Sequence, residues 1–357
     1  MTDRNTQEHA LFVPGRLCLF GEHTDWAGGY RRVNPNLSKG YTVLVGTNQG
    51  IYATVKPHPN RFILRTADGQ SIQLPMDADI LRDRAQQGGF FSYAAGVAYQ
   101  ALTQYRVGGL EIDNYQTDLP IKKELSSSAA ICVLIARAFD RCYGLNLNWR
   151  SELELAYQGE ITTPSRCGRM DFACAFGSQP ILMVFDGDEL DVLPIGDRAE
   201  SALSSPLYFA IVDLGASKDT QTILRDLNRC YPHDADEICQ HVQHYFNTIS
   251  PQIVQDAVTA LQQKDGETIG KLMCQAQVQF DRYICPVCPT QLTAPVLHTL
   301  LAHPPLQPYI WGGKGVGSQG DGTAQFISKN KTSLNDAIAT IERDFPQMTC
   351  LKLTIDW

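Results

Sequence analysis

No apolar run in this 357-residue sequence reaches the ~18 residues that a membrane-spanning helix requires, so no membrane partner is expected. Met1-Thr2-Asp3-Arg4-Asn5 is polar and lacks the apolar centre of a secretory leader, and the expected location is cytoplasmic. A paired disulfide framework is missing too: the 11 cysteines are odd in number and scattered, which reads as reduced, buried thiols. Cys285-Pro286-Val287-Cys288 is a lone C-x-x-C. No second pair lies near it to complete the four ligands of a zinc site, and although His298 and His303 follow, core or loop thiols are expected. Positive charge is in deficit. Lys and Arg number 30 against 38 Asp and Glu, a net charge of −8, which argues against a nucleic-acid partner but leaves room for a local basic pocket. There is no repeat and no low-complexity segment. What remains is ordinary globular composition, 43% hydrophobic and 19% charged, in a chain long enough for two domains.

Patterning places a buried strand at 11–20 and further strands within 41–56, where β-branched residues alternate. A hairpin is expected at 62–74 with Asp68-Gly69 as its turn. Helical spacing covers Phe90–Tyr105, Ala129–Tyr143 and Trp149–Glu160, with Leu110–Asn114 a strand and a fourth helix starting over Met170–Phe176. Leu182–Phe185 and Leu190–Pro194 form a second hairpin about Asp186-Gly187-Asp188. A small-residue linker, Ser201–Pro206, precedes a strand at Tyr208–Asp213. Helical patterns then fill 219–302, broken by Pro286, Pro289, Pro304 and Pro305, before strands flanking a Gly-rich loop at 312–322, a helix near 333–343 and a strand near 350–355. Strands followed by helices in each half give an α+β chain with domains at 1–200 and 201–357.

The densest chemistry lies in residues 13–30. Pro14-Gly15-Arg16 is followed by Gly21-Glu22-His23-Thr24-Asp25 and Gly28-Gly29, so an Arg, two carboxylates and a His sit beside an apolar run. A strand ending in a Gly-rich turn accounts for part of this, and His23 alone could cap a strand end. The mixture of polar groups suits a polyhydroxylated ligand. The run resembles the first signature of the galactokinase-like sugar kinases, within the GHMP small-molecule kinases, roughly P-G-R-x-x-x-x-G-E-H-T-D-x-x-G-G.

Leu125-Ser126-Ser127-Ser128-Ala129-Ala130 opens an apolar helix, where hydroxyls, exposed N–H groups and the positive helix end converge. A plain Ser N-cap is the simpler reading. The segment is similar to the family's second signature, P-x-G-x-G-L-S-S-S-A-A, but Lys122 and Glu124 replace its two glycines. Lys122 and Lys123 could serve as phosphate-binding cations; Glu124 adds like charge beside a triphosphate and puts nucleotide affinity in question.

Glu160 ends one helix, the chain turns, and Asp171 lies at the start of the next. Two solvated helix-end acids would explain them, yet a kinase benefits from one carboxylate by the acceptor hydroxyl and one by the metal. Cys167-Gly168-Arg169-Met170-Asp171 resembles the C-G-x-M-D element of galactokinases, although Phe172 stands where Gln is usual. Gly315-Val316-Gly317-Ser318-Gln319-Gly320 resembles the third signature, G-A-G-x-G-G, with departures at Val316 and Gln319. As a motif alone it reads equally as a flexible turn.

The resemblance implies the two-domain GHMP kinase fold with its active site in the interdomain cleft, acting on a monosaccharide with ATP and Mg²⁺. It implies Asp171 and Arg16 as catalytic residues, and Glu22, His23, Asp25 and Gly168 as sugar ligands. Lys122, Leu125, Ser126, Ser127, Ser128, Ala129, Gly315 and Gly317 would bind ATP, with Ser128 and Glu160 on the metal. The expected product is a sugar 1-phosphate. The alternatives are a non-catalytic sugar- or nucleotide-binding regulator, or a kinase of an acidic sugar or another small alcohol. The acidic-sugar alternative comes from the basic run Arg31-Arg32 to Lys39, which also reads as a solvated loop.

Overall fold

The computed structural model describes residues 7–119, 126–165, 167–196, 206–233 and 235–356. Packing divides the chain into two compact units, one of Met1–Arg16 with Gly46–Ser178 and one of Leu17–Val45 with Gln179–Trp357. They are interleaved along the sequence. The strands are β1 (His9–Phe20), β2 (Gly40–His58), β3 (Arg61–Arg65), β4 (Ser71–Pro75), β5 (Gly109–Thr117), β6 (Ile181–Asp186), β7 (Glu189–Pro194), β8 (Leu207–Asp213), β9 (Ile310–Gly315), β10 (Thr323–Ser328) and β11 (Thr349–Ile355).

In the first unit β3 and β4 form the expected hairpin, with Gly69 at φ +85° in its turn. Strand β5 runs parallel to β3, with Phe62 opposite Leu110, and antiparallel to the later part of β2, with Val55 opposite Ile112. These four residues alternate inward and are fully buried. Helices Phe90–Gln104, Ser127–Tyr143 and Trp149–Ile161 pack in the same unit. The middle one is buried from Ala129 to Ala136 without a break, as a helix that is apolar all round must be. It stops at Gly144, whose left-handed φ of 63° caps it. A helix the sequence reading missed, Ala78–Gln86, is started by Asp77, whose side chain accepts from Asp79 and Ile80 N–H. The helix expected from Met170 is instead a 3-10 segment, Arg169–Phe176. Gly168 in extended backbone and Gly177 at φ +79° bracket it, leaving room for a tighter, short coil.

Arg137 ties this unit together. Its guanidinium donates to both Glu152 oxygens at 2.9 and 2.8 Å, and to the Phe12 and Ala175 carbonyls at 3.0 Å each. Arg137→Met strands a largely buried carboxylate and two acceptors, and should lower unfolding stability by about 3 kcal/mol; chemical denaturation measures it.

In the second unit β6 and β7 form the other expected hairpin, and β6 pairs antiparallel with the start of β2, Gly40 opposite Phe185. A separate four-stranded antiparallel sheet has the order β11-β8-β10-β9. The run 312–322 is not all loop: Gly312 to Gly315 lie in β9, and the loop proper is 316–322. Packing is the reason. A Cβ on Gly312 would sit 2.1 Å from the Gly270 carbonyl oxygen, so the strand touches the backbone of helix Gly266–Tyr283. The anticipated linker at 201–206 falls outside the described residues but for Pro206.

Candidate functional site

The first unit gathers Arg16, Ser126 and Asp171. Arg16, on β1 and 4% exposed, pairs through Nη2 with Asp171 Oδ1. Ser126 Oγ donates to the same oxygen at 3.0 Å. Asp171 stays 27% exposed, so its carboxylate is held from within and reachable from outside. Its backbone N–H donates to the Gly168 carbonyl at 3.2 Å, which sets the turn that carries it. Ser126 precedes helix Ser127–Tyr143 in a left-handed conformation, φ 54° and ψ 51°. The N–H groups of Ser127, Ser128 and Ala129 therefore open a 17-residue helix a short step from the catalytic candidate. Lys122 and Leu125, with Lys123 and Glu124, lie outside the described residues.

Glu160 is 2% exposed. Burial, and next the Asp171 charge, push its carboxyl up to about 7. Hydrogen bonds from Ser165, at 3.1 Å, and from Ser128 and Cys132 pull it back. Ser128 and Glu160 thus bring two hard oxygen donors together. Mg²⁺ takes one or two carboxylates and completes its shell with phosphate and water, and this pair fits that demand. Among the described residues no cluster of three or more His, Cys, Asp or Glu side chains suits a metal held by protein alone.

The second unit holds the rest of the opening motif. Gly21 is obligatory: it sits at φ +88°, and a Cβ there would lie 2.0 Å from the Tyr41 carbonyl oxygen. Thr24 Oγ1 locks the turn, lying 2.7 Å from the Gly21 carbonyl, 2.8 Å from that of Tyr41 and 2.9 Å from Thr42 Oγ1. Glu22, 5% exposed, pairs with the fully buried Lys314 of β9. His23 takes φ 67° and caps the short helix Thr24–Gly29, whose first turn carries the half-buried Asp25. Trp26 Nε1 donates to His23 Nδ1 at 3.3 Å, which leaves the proton of the neutral ring on Nε2. Burial above all lowers the imidazole to about 4; the Ser318 backbone pulls it up, and the Lys218 cation adds a smaller downward push. Gly315 ends β9, while Gly317, Gln319 and Gly320 take positive φ in the loop after it. Lys218 lies along that loop, its chain within 3.1 Å of where a Gly322 Cβ would be.

His23 makes stability depend on pH. Its folded value is depressed, so the contribution is complete above the ordinary imidazole value near 6.5 and is lost as pH falls toward 4. His23→Asn, which tolerates left-handed backbone, should remove about 1–2 kcal/mol of acid sensitivity between pH 7.5 and 5. Parallel melting profiles for the two proteins would contradict the buried neutral ring.

Sequence reasoning missed Lys314 and Lys218. Lys314 stands in the glycine-rich run that reads as a loop, and Lys218 falls between the strand expected at Tyr208–Asp213 and the helical pattern from 219. The basic run is accounted for otherwise: Arg31 and Lys39 both pair with Asp186 at the β6–β7 turn, at 2.5 and 2.9 Å, and Arg32 reaches Asp188 at 3.3 Å. These cations brace a hairpin. Cys285 and Cys288 are free thiols, Cys288 within an aromatic-rich core, and all 11 cysteines are unbridged.

Residues 92–178 match the GHMP kinases N terminal domain. The chain carries a GHMP kinase N-terminal domain. Its sequence is similar to galactokinases, at 29% identity over 182 residues for that of Pyrococcus furiosus, covering 50% of this chain and 46% of that protein. The galactokinase of Thermotoga petrophila is 25% identical over 285 residues, 73% of this chain and 74% of its own length. The chain thus spans about half the length of the archaeal relative it matches. Among solved structures, Lactococcus lactis galactokinase complexed with galactose superposes with a TM-score of 0.71 at 16% identity, over 99% of this chain and 94% of that one. Methanococcus jannaschii mevalonate kinase gives 0.72 at 18% identity, over 98% and 99%. The GHMP kinase fold is therefore shared along the chain, in the mixed helix-and-sheet form expected. No helix among the described residues is long and apolar enough to cross a membrane.

Proposed function

We propose that the chain is an ATP- and Mg²⁺-dependent monosaccharide kinase, transferring the γ-phosphoryl group to the anomeric hydroxyl of galactose or a related neutral sugar. The observation that carries this reading is Asp171, an accessible carboxylate fixed by Arg16 and Ser126 at the start of a phosphate-suited helix. The sequence likeness to galactokinases supplies the substrate class. Two domains at 1–200 and 201–357 belong to the same proposal, with the matched segment inside the first.

Asp171 takes the proton as the sugar oxygen bonds to the γ-phosphorus, and the bond from that phosphorus to the bridging oxygen breaks to release ADP. Arg16 steadies Asp171 and the charge on the transferring group. N–H groups of Ser127, Ser128 and Ala129 receive phosphate oxygens. Glu160 and Ser128 would hold Mg²⁺, which supplies positive charge to the phosphates. Glu22, His23 and Asp25, with Gly168, would read the sugar hydroxyls, and Gly315 and Gly317 the nucleotide side. A cytoplasmic setting, with ATP at hand and thiols reduced, suits the unbridged cysteines.

ADP release with galactose, arabinose, fucose, glucuronate and heptose phosphates tests the reading. Sugar-dependent release is expected with a neutral aldose and not with glucuronate. Release with none of them would contradict the kinase assignment.

A further inference from the structure

Lys314 is fully buried, and the phosphoryl transfer described above does not use it. An ammonium in a protein interior is costly unless it is paired. Here it meets the Glu22 carboxylate and donates to the Gly315 carbonyl at 2.8 Å. Both partners are themselves anchored. The Gly315 N–H donates to Gln277 Oε1 at 2.7 Å, and the Gln277 amide donates to Asp281 at 2.8 Å, which fixes the end of β9 to helix Gly266–Tyr283. Gln325, directly opposite Lys314 in the β9–β10 register, donates to the Cys18 carbonyl at 2.9 Å. That bond ties β10 to the stretch of chain leading into Glu22, and the Gly21–Thr24 turn holds Glu22 from its other side.

Such a pair is weak evidence for stability, because well-packed apolar side chains often replace a buried ion pair without loss. What it does provide is one fixed direction for a carboxylate that a ligand must meet. We propose that Lys314 is a positioning residue for substrate binding: it orients the Glu22 carboxylate toward ligand hydroxyls and cancels its charge, so that the pocket takes an uncharged polyol. The proposal rests on the reading of Glu22 as a sugar ligand. It adds a residue that the opening motif does not contain, supplied from nearly 300 residues downstream.

Calorimetric titration of the full chain with galactose, arabinose and fucose tests it, with ATP titrated separately. Lys314→Met should weaken the sugar bound by the wild type about 10- to 100-fold, the usual range for losing a hydrogen bond to a charged group, and weaken ATP much less, by no more than the loss of its bond to the Gly315 carbonyl allows. Glu22→Gln should do the same. The double variant E22Q/K314M, which buries no lone charge and keeps a folded reference if K314M does not fold, should bind sugar no more weakly than E22Q. Wild-type sugar affinity in folded K314M, or additive losses in the double variant, would overturn the positioning role. A wild-type chain that binds none of the three sugars would overturn the sugar-kinase reading itself, and this proposal with it, before any substitution is compared.

Discussion

Asp171→Asn should lower turnover by about 10²- to 10⁴-fold, the usual contribution of a positioned general base, while sugar affinity and the melting temperature stay near wild type. The substitution is close to isosteric. Asn Oδ1 still accepts from Arg16 and Ser126, so the local hydrogen bonds survive and only the capacity to take a proton is lost. Asp171 itself, with 27% side-chain exposure, is not a buried charge, and the nearly buried Arg16, which loses its counter-charge, keeps a hydrogen-bond acceptor in Asn Oδ1; the melting temperature measures what that exchange costs. Single-turnover kinetics with equilibrium sugar binding separates the two effects. Turnover within threefold of wild type would show that Asp171 is an orienting group at most.

Arg16→Met should cost about 10²- to 10³-fold in kcat, a magnitude typical of removing one preorganised group aimed at developing charge. Arg16 is nearly buried and its guanidinium is directed at the Asp171 carboxylate. Its loss frees that carboxylate to turn and removes positive charge from the place where a phosphoryl group would pass. Arg16→Lys should recover only part of the rate, because a point charge on a flexible stem does not reproduce a planar fork. Because the partner carboxylate is partly solvated, the folding penalty should remain small, and circular dichroism melts check that. Equal rates for the Met and Lys variants would show that charge at this position does not matter to the reaction.

Much of this architecture could be read before any coordinates. Alternating β-branched residues announced β2, and the Asp68-Gly69 pair announced the hairpin of β3 and β4. The unbroken apolar helix after Ser126–Ser128 was also plain, because nothing but burial explains so many small and aliphatic residues in a row. Local signals carried those elements. The parts that were hidden depend on distant partners. Lys314 sits among glycines and reads as loop, yet antiparallel pairing with Gln325 and close approach to Gly270 turn that run into a buried strand. The interleaving of the two units at Leu17–Val45 is invisible to composition, since it follows from β2 pairing with β6 at its start and with β5 further on. The run with Arg31 and Lys39 reads from sequence as a solvated loop or as ligand-facing cations, because Asp186, about 150 residues away, is not visible there as their partner.

The central claim is that this chain moves a phosphoryl group from ATP to a sugar hydroxyl. Phosphorus-31 NMR of the wild-type chain with ATP, Mg²⁺ and galactose tests it most directly. The account predicts ADP together with a phosphomonoester whose phosphorus couples to the anomeric proton, formed in equal amounts. ATP left intact, or ADP appearing with inorganic phosphate alone, across galactose, arabinose and fucose would contradict it.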